Sequence, residues 1–319
     1  MQQASIQCKK TTDTNKKETS MQKQKNKRKR RIEKWIEKVI AFFGLISIII
    51  IALIFIFLFK SGSGIFKDVS LKEFFLGAKW YPNSVNPQFG ILPLVAGSLL
   101  ITFLSVLLAV PIGVGCAIFI SEIAPPKVQF FCKVVIEFLS AIPSVVLGFL
   151  GIVILSSWIR TVFHLSSGFT ALTGAILVAL MALPTIISIT DDALRAVPDH
   201  YREASLALGA TPWETIRYVI IPAASSGMIA AIMLGIGRAI GETMTVMMVT
   251  GNAAKIPTSP LQSARTITAT IAAEMGDTVR NSPHYHALFA MGIVLLLFTT
   301  LINWIADHVL QKNQKEGKA

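Results

Sequence analysis

From Val39 to Phe59 the chain runs for 21 residues without a charge. At about 1.5 Å of rise per residue, a helix of that length covers the roughly 30 Å hydrocarbon core of a bilayer, so this stretch reads as a membrane span. Comparable apolar runs follow at Leu94 to Ile120, Phe130 to Trp158, Phe169 to Thr190, Ile221 to Thr250 and His286 to Val309, which makes six. The first is too long and too far from the N-terminus for a signal peptide, and no small-residue cleavage pattern follows it. Apolar residues are 53% of the chain and charged residues 15%, too few charges to solvate a globular surface of 319 residues. The expected fold class is therefore all-α, a polytopic membrane protein with six transmembrane helices.

A net charge of +12 raises the question of nucleic acid, but 13 of the 30 Lys and Arg fall in the first 38 residues. The basic excess is a tail rather than a binding surface, and no nucleic-acid partner is expected. Residues 1–31 have no apolar period and end in Lys27-Arg28-Lys29-Arg30-Arg31, which predicts a disordered segment whose basic end fixes topology or meets anionic lipid headgroups. Counted by alternate loops, the side that carries the N-terminus holds 21 cations and the opposite side eight, with Arg238 inside a span. Flanking cations resist translocation, so both termini of this multi-pass chain are expected in the cytoplasm. The three cysteines, Cys8, Cys116 and Cys132, offer neither a disulfide framework nor metal spacing, and no metal or cofactor is expected. The predicted layout is a basic tail (1–38), a first span with its outer loop (39–93), a core (94–309) and a short C-terminal cytoplasmic tail (310–319). Within the outer loop, Leu71 to Gly77 reads as a short helix.

The core contains a polar interruption between its fourth and fifth spans. Asp199 can cap a helix whose Tyr201, Ala204 and Leu208 share an apolar face, and Gly209 ends it. Thr211-Pro212-Trp213-Glu214 then has the features of a second helix start: Thr at the N-cap, Pro at the first helical position and Glu three residues after the cap. The same stretch resembles the EAA loop of ABC-importer permeases. Glu203, Ala204, Gly209 and Pro222 fall at that family's spacing, while Ser205, Val219 and Ile221 stand for Ala, Ile and Leu. The resemblance implies the type I ABC-importer permease fold, with residues 199–222 as a cytoplasmic coupling loop that docks on an ATP-hydrolysing subunit.

The fifth span carries Arg238 and Glu242, spaced i, i+4 on one helical face. Ionisable groups in lipid are costly without a partner, cavity or pathway. The two can form an ion pair that locks helices together; alternatively Arg238 presents its fork of donors to an oxyanion while Glu242 holds it. Glu137 in the third span is placed to snorkel or to pair with Lys133. Gly237-x-x-x-Gly241 has the spacing of close helix packing.

The run Gly235-Ile-Gly-Arg-Ala-Ile-Gly-Glu-Thr-Met-Thr-Val-Met-Met-Val-Thr-Gly-Asn252, with Ile142-Pro143-Ser144-Val145-Val146 and Gly148, resembles the PstC-type permeases of bacterial phosphate importers. The PstA-type sister usually continues Gly-Glu-Thr with Ala-Pro, where this chain has Met244-Thr245. The resemblance covers residues 95–309 and implies a heterodimer with a PstA-type sister, two copies of an ATP-binding subunit and an extracytoplasmic phosphate-binding protein. It implies a substrate pathway through Arg238, Glu242, Thr243 and Thr245, and ATPase coupling through Glu203, Ala204, Ser205, Gly209 and Pro222. The chain itself has no Gly-x-x-x-x-Gly-Lys-Ser/Thr loop and is not expected to be an enzyme. Other oxyanions such as sulfate or molybdate remain alternative substrates, and a stand-alone ion-coupled transporter is the alternative class.

Overall fold

The computed structural model describes residues 35–316, apart from the side chains at 306, 307 and 309–316. The basic cluster at Lys27 to Arg31, Cys8 and the three C-terminal residues lie outside the described residues. Among the described residues, six helices are long and apolar enough to cross a membrane: Trp35–Lys67, Leu92–Ile123, Ser144–Val162, Ala171–Arg195, Pro212–Gly241 and Pro283–Ile305. In hydrocarbon every backbone N–H and C=O must be satisfied within the chain, which is why apolar runs of this length become helices.

The apolar stretch up to Phe57 forms one unit by itself. It belongs to α1 (Trp35–Lys67), whose last turn tightens to a 3-10 helix over Ser63–Lys67. The second unit begins at Leu58. In it, α2 (Leu71–Leu76) is capped by Ser70, whose side chain accepts from the Glu73 amide. A two-stranded antiparallel hairpin follows, β1 (Trp80–Tyr81) and β2 (Gln88–Phe89), with Trp80 opposite Phe89. Next come α3 (Leu92–Ile118), extended by a π-turn over Phe119–Ile123, and α4 (Pro126–Ala141).

Here the structure departs from the sequence reading. The third apolar run is two helices: α4 stops before Pro143, and α5 (Ser144–Leu150) starts there and continues through a π-helical segment into α6 (Ser157–Val162). Proline disfavours the α conformation in the residue before it, and Ile142 is extended at ψ 125°. The membrane-long element is thus Ser144–Val162, and Glu137 lies outside it on α4.

The centre of the unit is α7 (Ala171–Arg195), rich in buried Ala, Gly and Thr. Then come α8 (Asp199–Ala207), α9 (Pro212–Thr215), α10 (Ile221–Gly241), α11 (Met244–Val249), α12 (Ile267–Glu274) and α13 (Pro283–Glu316). The fifth apolar run is also interrupted: α10 ends at Gly241, and Glu242 turns to an extended ψ of 127° before α11 begins. Together α10 and α11 run antiparallel along α7. Gly227 abuts Ala193, a Cβ at Gly235 would lie 2.6 Å from Ile186, Thr245 meets Met181 and Thr250 lies on Gly174. The break at Glu242 therefore sits beside the middle of α7, a helix long and apolar enough to cross a membrane, rather than near either of its ends.

Two apolar clusters anchor the ends of this bundle. At the hairpin end Phe74, Trp80, Ile91, Leu94, Leu288 and Met291 are buried together. At the end that leads into α8, Ala117, Ile120, Leu194, Val197 and Ile220 do the same.

Candidate functional site

The polar interruption forms the helical hairpin its residues encode. Pro198, rather than Asp199, occupies the N-cap of α8, which leaves Asp199 as its first residue, where its charge opposes the helix dipole. Gly209 takes φ +89°, a conformation that favours glycine, and a Cβ there would meet nothing within 4 Å. Backbone conformation, not close packing, is thus what requires glycine at the turn. Thr211 and Glu214 make the full capping box, with the Glu214 carboxylate accepting from the Thr211 amide at 2.8 Å. Ser205 and Thr215 join the two short helices through their hydroxyls at 2.9 Å.

The outer surface of this hairpin is left bare. Leu208 is 89% exposed and Trp213 57%, and Tyr201, Leu206, Glu203 and Ala204 are exposed as well. Its inner surface is tied to the bundle by charge. Arg202 donates to Glu122 at the end of α3, at 2.8 Å, and to the carbonyls of Val197 and Leu194. The hydrogen bond to Glu122 outweighs burial and holds the Arg202 guanidinium above its ordinary pKa. Beside it, Asp191 is buried and accepts from Arg195 one turn on and from Lys133 of α4, at 2.9 and 2.8 Å. Lys133 thus pairs with Asp191 and not with Glu137. Both line a cavity of about 200 Å³ with Asp192 and Ser188.

At the helix break the expected ion pair is not made. Because α10 ends at Gly241, Arg238 and Glu242 no longer share a continuous helical face. The Glu242 carboxylate instead accepts from the Thr245 amide at 3.1 Å, capping α11. Arg238, in the last turn of α10, is exposed and has no described hydrogen bond or salt bridge. Thr243 returns its hydroxyl to the Gly241 carbonyl, while Thr245 is fully buried and donates to the Ser144 carbonyl at 3.0 Å. That bond joins the break in the fifth apolar run to the break in the third. The packing expected of Gly237 and Gly241 is not found within the chain either, since no described atom lies within 4 Å of a Cβ at either. Gly235 and Gly148 are the glycines of these motifs that permit close approach, against Ile186 and Met248.

Sequence reasoning missed two charged clusters. One is the Glu122, Arg202, Asp191 and Arg195 group, for which the Asp191-x-x-x-Arg195 spacing was a readable signal. The other lies at the hairpin end. Glu274, the last residue of α12, accepts from Arg265 at 2.6 Å, from Trp80 Nε1 at 3.1 Å and pairs with His284 at 2.8 Å. Burial pushes this carboxyl up, but His284, Arg265 and Trp80 together outweigh it and hold its pKa below the usual Glu value.

Among the described residues, a bundle of broken apolar helices surrounds α7, with an exposed helical hairpin between the fourth and fifth spans, which is the architecture of a multi-pass membrane protein. Residues 109–315 match the model of the binding-protein-dependent transport system inner membrane component family. The chain is 42% identical over 75% of its length to a probable ABC transporter permease protein, YqgH, of Bacillus subtilis, covering 79% of that protein. It is 35% identical to the phosphate transport system permease protein PstC of Mesorhizobium japonicum, over 75% of this chain and 78% of the relative. The Haemophilus influenzae PstC is 30% identical over 90% and 96%. Among solved structures, a permease chain of a bacterial ABC transporter involved in import of the acidic polysaccharide alginate superposes with a TM-score of 0.61 at 15% identity, over 88% of this chain and 99% of that one. An inward-facing methionine transporter, MetNI, gives 0.54 at 20% identity over 68% and 93%. The chain belongs to the binding-protein-dependent transport inner membrane family, and within it to the PstC-type permeases.

Proposed function

We propose that this chain is a transmembrane subunit of an ATP-driven importer of inorganic phosphate, forming part of the translocation path and coupling it to a separate ATPase. The observation that carries the reading is the identity of 30–35% to PstC proteins over three quarters or more of the chain. Phosphate is preferred to other oxyanions on that ground, since one arginine alone does not specify the anion. The partners on this reading are a PstA-type sister, two ATP-binding subunits and an extracytoplasmic phosphate-binding protein. The N- and C-termini face the cytoplasm, and the exposed face of α8 and α9 docks on the ATPase.

The exposed Arg238 at a helix break beside the middle of α7 supports a role in the path. Its planar fork is matched to a phosphate oxyanion, and no carboxylate among the described residues pairs with it. Glu242 and Thr243 shape the break beside it, and buried Thr245 fixes the break to α5. The uncovered Gly237 and Gly241 on the same stretch leave room for close approach of the sister subunit. The test is ATP-dependent uptake of phosphate and of sulfate by vesicles containing all four components. Saturable phosphate uptake that sulfate does not inhibit is expected; equal uptake of sulfate would reject phosphate as the specific cargo. Arg238→Lys, which keeps charge but loses the fork, is expected to lower phosphate uptake at least tenfold in a chain that inserts normally, consistent with about 1.4 kcal/mol or more for a charge-assisted contact.

A further inference from the structure

The Glu274 cluster draws together four separate parts of the fold. Trp80 comes from the hairpin, Arg265 from the segment before α12, Glu274 from the end of α12, and His284 from the start of α13. Trp80 and Glu274 are 194 residues apart. The four side chains are nearly enclosed: Trp80 is 1% exposed, and the Arg265, Glu274 and His284 side chains are 17%, 16% and 12% exposed. Trp80 and His284 also meet edge to face, with ring centroids 6.1 Å apart, but every described hydrogen bond and ion pair among the four runs through the one carboxylate, so removing it leaves three donors without their shared acceptor.

The other end of α12 reaches the helix break. Where α10 stops, its last carbonyls lose their intrahelical partners and need others. The Glu242 carbonyl is satisfied by the Thr268 hydroxyl in the first turn of α12, at 2.9 Å. That turn is itself fixed by Ser98 of α3, whose hydroxyl accepts from the Ile267 amide at 3.0 Å, and by the Thr266 side-chain cap. The short helix α12 is therefore a strut. It presents a hydroxyl to the broken helix end at one extremity and is clasped by three donors at the other.

We propose that Glu274 is a positioning residue for transport, holding α12 against the break at Glu242 so that the outer hairpin, α12 and the start of α13 act as one cover over that part of the path. This rests on the reading of the break as part of a translocation path. When the clasp opens, α12 loses its fixed position, the Glu242 carbonyl loses Thr268, and the break becomes accessible from the hairpin side. The proposal concerns the cover, not the cargo, so it is tested without measuring transport.

The experiment uses the full chain co-expressed with its partner subunits in cells, with Cys8, Cys116 and Cys132 replaced by Ser and Thr243→Cys introduced beside the break. A membrane-impermeant maleimide is applied to the intact cells and, for the opposite side, to inverted membrane vesicles prepared from them. Losing a charge-assisted hydrogen bond shifts an open–closed balance on the order of tenfold, so Glu274→Gln is expected to raise the labelling rate from the hairpin side by about that factor and leave the opposite side unchanged. Trp80→Phe, which removes one donor and keeps the carboxylate, is expected to raise it about threefold by the same arithmetic. An unchanged rate in a normally inserted Glu274→Gln chain overturns the proposal. So does an equal rise from both sides, which reports general loosening. Where Glu274→Gln does not insert, Trp80→Phe decides alone. Phosphate uptake by cells that carry the unmutated chain with its partner subunits reads the transport assignment separately: its absence rejects that assignment and leaves the labelling result standing.

Discussion

The two charged clusters at opposite ends of the bundle are built on different plans. At the end that leads into α8, six side chains form two groups of three. Asp191 has two cations, and Arg202 has Glu122, Asp199 and two carbonyls. At the hairpin end one carboxylate serves three donors, all nearly enclosed. The first plan is redundant and borders solvent, with Lys133 and Arg195 at 45% and 37% exposure. The second has no spare member. A buried acceptor with several donors loses all of its bonds in one substitution, whereas a shared network loses one bond and keeps the rest. The contrast fits the roles proposed for the two regions, a helical hairpin that stays attached to the bundle and a cover that can release.

The largest expected effect follows from that difference. Glu274→Ala leaves the Arg265 charge and the Trp80 N–H without their acceptor in a nearly enclosed site, and should destabilise the purified complex by about 3 kcal/mol, the lower end for breaking a buried pair from one side. Thermal unfolding in detergent measures it. A loss no larger than that of any single variant in the cluster beside α8 would erase the distinction between the two plans.

The same carboxylate gives the comparison a pH signature. Its folded pKa lies below the unfolded value of about 4.3, so the folded state binds fewer protons than the unfolded state through that range. Its contribution is fully present above the unfolded pKa and is lost as pH falls through the folded one. Unfolding temperature measured from pH 6 downward should therefore drop below about pH 4.3 in the unmutated chain, and the drop should be smaller in Glu274→Gln.

Next in size is Glu122→Gln. It removes the charged partner of Arg202 but leaves the Val197 carbonyl at 2.8 Å and Asp199 at 3.2 Å. A loss of about 1–2 kcal/mol is expected, together with ATP hydrolysis that responds less to the binding protein. A variant with normal stability and normal stimulation would show that the Arg202–Glu122 bond is not part of the connection between α8 and α3.

How far these regions were legible in the sequence follows the range of the interactions. The capping box at Thr211 and Glu214 and the stop at Gly209 rest on residues within a few positions of each other, and the structure has both. The count of six membrane-long helices among the described residues is met as well, but the third begins at Ser144 rather than Phe130 and the fifth ends at Gly241 rather than Thr250. The interruptions at Pro143 and Glu242 were hidden because hydropathy is continuous across them. Pro143 carried a signal in the restriction on its preceding residue, whereas Gly241-Glu242-Thr243 reads as unbroken helix until α11 finds its own contacts on α5. The Arg238–Glu242 spacing was read on a helix that in fact ends between them. The Glu274 cluster had no local signature, because Trp80 and Arg265 meet it only through the folded path of the chain.

The smallest single effect sharpens the contrast most. Lys133→Ala removes a cation whose side chain is 45% exposed, and Asp191 keeps both of its hydrogen bonds from Arg195, at 2.9 and 3.0 Å. Exposed pairs contribute about 0–1 kcal/mol, so the single change should cost no more than about 0.5 kcal/mol. Arg195→Ala should also be mild, since Lys133 remains at 2.8 Å. The double substitution is different in kind. It strands an Asp191 carboxylate whose side chain is 4% exposed, and the cost of an uncompensated buried charge then appears at once. The double variant should lose more than the sum of the singles by about 1–3 kcal/mol, within the range measured for residues that share a partner. Additivity in this cycle would mean that the inner network is a set of independent contacts. The redundancy that separates it from the Glu274 clasp would then have no energetic basis.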